Sequence, residues 1–188
     1  MVRREYLIGV ANGHGPVMNR VMTFTIKPLQ IAAANSLRAL RLEALRAHAD
    51  CFGSSPEEAE QQSDATYSNL AASGCVIGCF KMQGELVGMA GLSAESMRKV
   101  RHRATLWGVY LRPELRGQGA GEALVRAAIA LAQAPIEDVI LTVSLQNVSA
   151  VKLYERLGFE RYAIDERALK LSDGTYVDEM LMRLRVTR

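Results

Sequence analysis

The chain has 188 residues, 49% of them hydrophobic and 23% charged, with a formal net charge of +3. That length and apolar content suffice to bury one substantial core, and no shift in composition marks a second domain. The mild positive balance comes without a long basic block or an aromatic-interleaved stripe, which argues against a nucleic-acid partner and suits a small anionic one.

Three cysteines, Cys51, Cys75 and Cys79, form no Cys-x-x-Cys pair. Zinc and dithiol redox chemistry are therefore not indicated, no metal is implied, and reduced structural thiols are expected. The run Tyr6-Leu7-Ile8 is too short for a secretory h-region, and no segment is long and apolar enough to span a bilayer. A cytoplasmic protein with no membrane partner is the expectation.

Residues 1–21, including Gly13-His14-Gly15-Pro16, show neither helical nor alternating periodicity and read as a flexible N-terminal extension; one domain is expected over 22–188. Thr23-Phe24-Thr25-Ile26 reads as a first strand, and residues 31–49 as a helix with Leu37, Leu40 and Ala44 on one face and Arg38 and Arg41 on the other. Asp50-Cys51-Phe52-Gly53-Ser54 is a connection. Ser55-Pro56-Glu57-Glu58 is a capping box that opens a second helix at Pro56. Residues 75–81 and 86–92 read as strands joined across Gln83-Gly84. The basic run 97–103 precedes a strand over 105–111, whose length, at roughly 3.3 Å per residue, holds that run about 20 Å from the residues beyond the strand. It is read as a solvated hairpin turn.

After that strand comes Arg116-Gly117-Gln118-Gly119-Ala120-Gly121, and then an apolar helical stripe of Leu124, Ala128 and Leu131 that Pro135 closes. Strand, glycine turn and helix in this order make an anion site. Backbone N–H groups beside glycine point inward unobstructed, and the first helical turn adds unpaired donors and the positive dipole end. A dinucleotide fingerprint would need glycine where Glu122 stands, and the Gly-Lys-Ser/Thr of a Walker loop is missing. Further on, residues 139–143 form a buried strand and Asn147 caps a short helix ending at Leu157-Gly158-Phe159. Periodicity alone makes Tyr154 a core aromatic on the stripe Ala150, Leu153, Tyr154, Leu157. Asp173-Gly174 joins a final pair of strands.

Arg-x-x-Gly-x-Gly at 116–121 resembles the pyrophosphate loop of the GNAT acetyltransferase superfamily. Asn147, Ala150, Tyr154, Gly158 and Phe159 fall in register with its other signature, Asn-x-x-Ala-x-x-x-Tyr-x-x-x-Gly-Phe. The resemblance implies an α/β fold, a mixed central sheet splayed between the fourth and fifth strands and flanked by helices. It implies acetyl-CoA as cosubstrate, its pyrophosphate held by N–H groups of Gly117, Gln118, Gly119, Ala120 and Gly121 with Arg116 as charged supplement. Backbone groups of Val109 and Leu111 would bond the pantetheine arm, and Asn147 would touch it. Tyr154 would protonate the departing thiolate, and the Val109 N–H, where the family's strand bulges, would face the oxyanion. Residues 50–54 would line the acceptor side. The strand over 105–111 carries no carboxylate, so no base is assigned; Glu95 and Glu179 are candidate ends of a water chain.

The function so implied is acetyl transfer to a primary amine by direct attack in a ternary complex, on a small molecule because no peptide-docking extension is evident. A protein N-terminal acetyltransferase is the alternative reading, and a non-catalytic acyl-CoA-binding regulator a third. Self-association is common in the superfamily, so a homodimer is compatible with the resemblance.

Overall fold

The structure, a computed structural model, describes residues 24–186, so the extension expected over 1–21 lies outside it. Seven strands form one sheet in the order β1-β2-β3-β4-β5-β7-β6. They are β1 (Phe24–Pro28), β2 (Val76–Lys81), β3 (Leu86–Ala94), β4 (Arg103–Leu111), β5 (Asp138–Ser144), β6 (Glu160–Lys170) and β7 (Tyr176–Arg185). Every neighbouring pair is antiparallel except β4 and β5.

Helix α1 (Ala34–Ala47) buries Leu37, Leu40, Ala44 and Leu45, spaced so that one face meets the sheet. The expected capping box is present at α2 (Pro56–Gln61): Ser55 Oγ accepts from the Glu58 N–H at 3.2 Å, and Glu58 Oε2 accepts from the Ser55 N–H at 2.8 Å. The sequence marks only one helix here, whereas Gln62 turns extended and a separate α3 (Asp64–Ala72) starts from Ser63. Helices α1 and α3 share one apolar cluster with Val76, Phe80, Leu86 and Met89. The opposite face carries the larger cluster, in which α4 (Ala120–Ile129) and α5 (Val148–Arg156) pack on Ile77, Val87, Val139, Leu141 and Met182. Helix α4 stops at Ile129, short of the expected closure at Pro135; Leu131 bonds back to Ala128 in a tighter turn.

The expected splay lies between β4 and β5. They pair in parallel only over Arg103↔Asp138, Ala104↔Val139 and Thr105↔Ile140, then part. At the apex the His102 carbonyl accepts from the N–H groups of Glu137 (2.7 Å) and Asp138 (3.0 Å), fixing where β5 begins. The basic run 97–103 is the β3–β4 turn beside that apex, at the end of β4 away from the glycine loop, as the strand length requires.

At the other end of β4, Arg112 ties α1 to the sheet. Its Nε and Nη2 donate to both carboxylate oxygens of Glu43 at 2.7–3.0 Å, its Nη1 donates to Glu85, and Tyr110 Oη donates to Glu43 at 2.9 Å. The Arg112 bonds hold the Glu43 carboxyl below the usual carboxylate range, against an opposing effect of burial. A carboxylate whose folded-state pKa is lowered stabilises the fold at pH values above its unfolded pKa, and that contribution fades as pH falls through the folded value. Glu43→Gln should cost about 1–2 kcal/mol at pH 7, or roughly 2–8 °C in Tm for a chain of this size. Thermal melts followed by circular dichroism should show the difference from wild type shrinking below about pH 4.

Candidate active site

A cavity of about 920 Å³ occupies the splay, bounded by β4 on one side and β5 on the other. Its size is that of a ligand pocket. Of the residues the sequence nominates, Val109, Leu111, Arg116, Gly117, Gly119, Gly121, Asn147 and Tyr154 line it. Gln118 and Ala120 do not: Gln118 Nε2 donates to the Glu114 carbonyl at 2.7 Å, and Ala120 is fully buried in the core. What these two can offer a ligand is backbone.

Gly119 is the N-cap of α4 with φ of +85°, and a Cβ there would meet nothing within 4 Å. Its requirement is conformational, since a side chain in the left-handed region costs energy however open the space. Gly121 is different, because its φ is helical and an added Cβ would sit 3.8 Å from Leu111 Cδ2 and Leu153 Cδ2, an ordinary contact. Gly117, Gly119 and Gly121 thus line the cavity at the head of α4 with no side chains of their own, where a helix has its unpaired N–H groups. Arg116 stands beside it, donating from Nε to the Leu111 carbonyl at 2.9 Å, with Nη2 3.4 Å from His48 Nε2.

Strand β4 bulges where the resemblance predicts. Met89 faces Tyr110 and Gly91 faces Trp107, so Ala90 alone stands opposite both Gly108 and Val109. Gly108 takes φ of +62°, a conformation that allows the extra residue to fit. The ladder is interrupted there, inside the cavity wall.

On the β5 side, Asn147 Oδ1 accepts from the Ala150 N–H at 3.2 Å and caps α5, while its Nδ2 donates to Cys51 Sγ at 3.5 Å. The far end of α5 closes by a Schellman motif, with the Phe159 N–H on the Tyr154 carbonyl and the Gly158 N–H on the Glu155 carbonyl, each at 3.0 Å. Tyr154 is thus held from its backbone and from its ring, which meets Phe159 edge to face at 5.7 Å. Burial, and secondarily Cys51, pushes the phenol well above its ordinary range, so it keeps its proton at neutral pH.

Two further cavity residues come from afar in sequence. Cys51, in a 3₁₀ turn after α1, has its thiol pushed up to about 11 by burial and then by Asp50. It is a protonated thiol at neutral pH and a poor nucleophile. Glu179 on β7 lines the cavity with its carboxyl raised, chiefly by burial, although Thr142 bonds it. Glu95 is not among the lining residues and lies 3.5 Å from Thr105 Oγ1. The sequence names Glu179 and Glu95 on equal terms and presents Cys51 as structural. Only the pairing of β7 with β5 and the fold of residues 49–54 separate them. Residues 50–54 line the cavity, where the resemblance puts them.

Residues 40–159, well over half of the chain, match the acetyltransferase (GNAT) family. A mycothiol acetyltransferase from Kocuria rhizophila is 44% identical over 61 residues, 32% of this chain and 20% of that one, so the chain spans about a fifth of that relative. Among solved structures, an acetyltransferase of the GNAT family from Streptococcus pneumoniae superposes with a TM-score of 0.76 at 22% identity, covering 87% of this chain and 99% of that one. The acetyltransferase yncA from Salmonella typhimurium, solved with acetyl-CoA, superposes with a TM-score of 0.75 at 18% identity, covering 88% and 95%.

The two glycines at the head of α4 should respond differently. Gly119→Ala should lose about 1–2 kcal/mol from left-handed strain, whereas Gly121→Ala, in helical backbone with room for its methyl, should hold or gain up to about 1 kcal/mol. Gly121→Val should weaken coenzyme A binding at least about tenfold by crowding those N–H groups, with little change in Tm. Isothermal calorimetry beside thermal melts checks both.

Proposed function

The chain belongs to the acetyltransferase (GNAT) family, and from that premise we propose that it moves the acetyl group of acetyl-CoA to a primary amine of a small molecule, by direct attack in a ternary complex. The observation that carries this reading is the convergence in one cavity of three parts: a splayed strand pair, a glycine-headed helix N-terminus and a buried, protonated tyrosine. The relatives named as acetyltransferases, and the neighbour solved with acetyl-CoA, support the donor.

In this reading the N–H groups of residues 117–121 hold the pyrophosphate with Arg116 beside them. The edge of β4 that β5 leaves without a strand partner, at Val109 and at Leu111, whose carbonyl Arg116 already bonds, holds the pantetheine arm as an added strand would, and Asn147 steadies it from the β5 side. The bulge leaves the Val109 N–H facing the thioester carbonyl, where negative charge grows as the amine adds. The C–N bond forms, the C–S bond breaks, and Tyr154 gives its proton to the leaving thiolate. The desolvation that raises the phenol also raises the proton affinity of a thiolate in the same cavity, so the transfer is not penalised. Cys51 takes no part as nucleophile, because almost none of it is ionised.

An alkyl amine near pKa 10.4 arrives protonated, and freeing its lone pair at neutral pH costs roughly 4 kcal/mol. Glu179 is the carboxylate in the cavity that suits this task. Burial raises its pKa, which brings it nearer to neutrality than an exposed glutamate.

The test is thiol release from acetyl-CoA across polyamines, amino acids, aminoglycosides and short peptides. Turnover of peptides alone would replace this reading with protein N-terminal acetylation. With a productive amine, Tyr154→Phe should lower kcat by about 10²–10⁴ at unchanged coenzyme A affinity; wild-type rates would remove the general acid. Glu179→Gln should lower kcat by at least about 10², and should abolish the loss of wild-type kcat as acid protonates this carboxyl.

A further inference from the structure

Arg41 on α1 lines the same cavity from the side opposite the glycine loop's helix, and neither donor binding nor proton transfer uses it. Its Nη1 is buried, and among the described residues neither a hydrogen-bond acceptor nor a carboxylate pairs with it. Its contact is with the Phe52 ring, 5.0 Å below the guanidinium. The neighbouring Arg38 also buries one nitrogen, Nε, without a partner, but its Nη groups reach Asp64 at 3.6 Å and the Glu60 carbonyl at 3.0 Å, so its charge is met. An arginine that gives up water without gaining a partner is costly unless a ligand completes it. Burial already strains it, lowering its pKa from the ordinary value.

The position of this unsatisfied donor identifies what it awaits. A Cβ on Gly108 would lie 3.7 Å from Arg41 Nη1, so the guanidinium stands at the β4 bulge, where the proposed reading puts the reacting carbonyl, and not at the glycine loop, where Arg116 stands. Phe52, from the 50–54 segment, holds the guanidinium over its ring. A planar fork of N–H donors matches a carboxylate in two-point geometry. Asp50 and Glu179, also in the cavity wall, supply the opposite charge that an ammonium group seeks.

We propose that the acceptor is an amino carboxylic acid whose carboxylate seats on Arg41 beside Phe52 while its amine faces the thioester. This rests on the acetyltransferase reading and narrows it to a substrate class. Arg41 is then a specificity residue that touches the acceptor, not the donor.

The experiment compares amino acids, β-alanine and γ-aminobutyrate with their carboxamides and decarboxylated amines, following thiol release at saturating acetyl-CoA. Wild type should prefer the acids by roughly ten- to a hundredfold in kcat/KM. Arg41→Gln should erase most of that preference through KM, and Arg41→Lys should restore part of it, since charge without the fork recovers only some of the binding. Simple carboxylates lacking an amine should inhibit wild type competitively against the acceptor, a readout that needs no variant. Equal use of acids and carboxamides by wild type overturns the assignment while leaving the transferase reading intact. So does an acid preference that Arg41→Gln retains, or a loss of coenzyme A affinity in that variant matching its loss of acceptor affinity. No thiol release with any amine, although acetyl-CoA binds, removes the transferase reading and this assignment together.

Discussion

The divergence of β4 from β5 after three paired residues is the constraint on which the rest of the site depends. A backbone N–H or carbonyl facing a dry interior must find a partner. Parting two adjacent strands in mid-sheet leaves two rows of such groups facing each other across a gap. Helices cover both faces of the sheet beside the gap: α4 and α5 fill the larger core on one face, and α1 covers the opposite face of β3 and β4. The cavity is thus a property of the sheet's topology, and its polar lining is main chain first and side chain second.

Desolvation sets the chemistry of the side chains that do reach it. The same removal of water keeps the Tyr154 phenol protonated, makes Cys51 inert, and brings the Glu179 carboxyl closer to neutrality. In the proposed mechanism, one physical cause therefore sorts three groups into an acid, a bystander and a proton acceptor. Arg41 experiences the same effect with the opposite sign, which is why an unpartnered guanidinium there is informative.

Much of this is legible in the sequence, and the reason lies in locality. The glycine turn at 116–121, the Asn147 cap, the Gly158 terminus and the Ser55 capping box are each decided within a few residues, and each stands where the spacing puts it. The splay and the bulge at Gly108–Val109 come with the family resemblance. The break at Gln62 is not legible, because Ser63 looks like helix interior unless its capping bond is seen. Proline is a visible stop, so the sequence puts the end of α4 at Pro135, while the tightening after Ile129 leaves no comparable mark. Arg41, Cys51 and Glu179 are invisible as one constellation, since α1, its following turn and β7 meet only through the sheet. Periodicity assigns Arg41 to a polar face, which does not distinguish solvent from cavity.

The hydrogen bonds that the His102 carbonyl accepts from Glu137 and Asp138 lie outside the cavity, at the closed end of the wedge. They pin the closed end of the wedge, and β4 runs six residues, Leu106 to Leu111, beyond the last position paired with β5, a length of about 20 Å. Over that length the angle between the two strands at the closed end fixes how far apart they stand at the mouth. The opening between the strands is therefore set from a turn outside the cavity wall, beside the cationic hairpin 97–103.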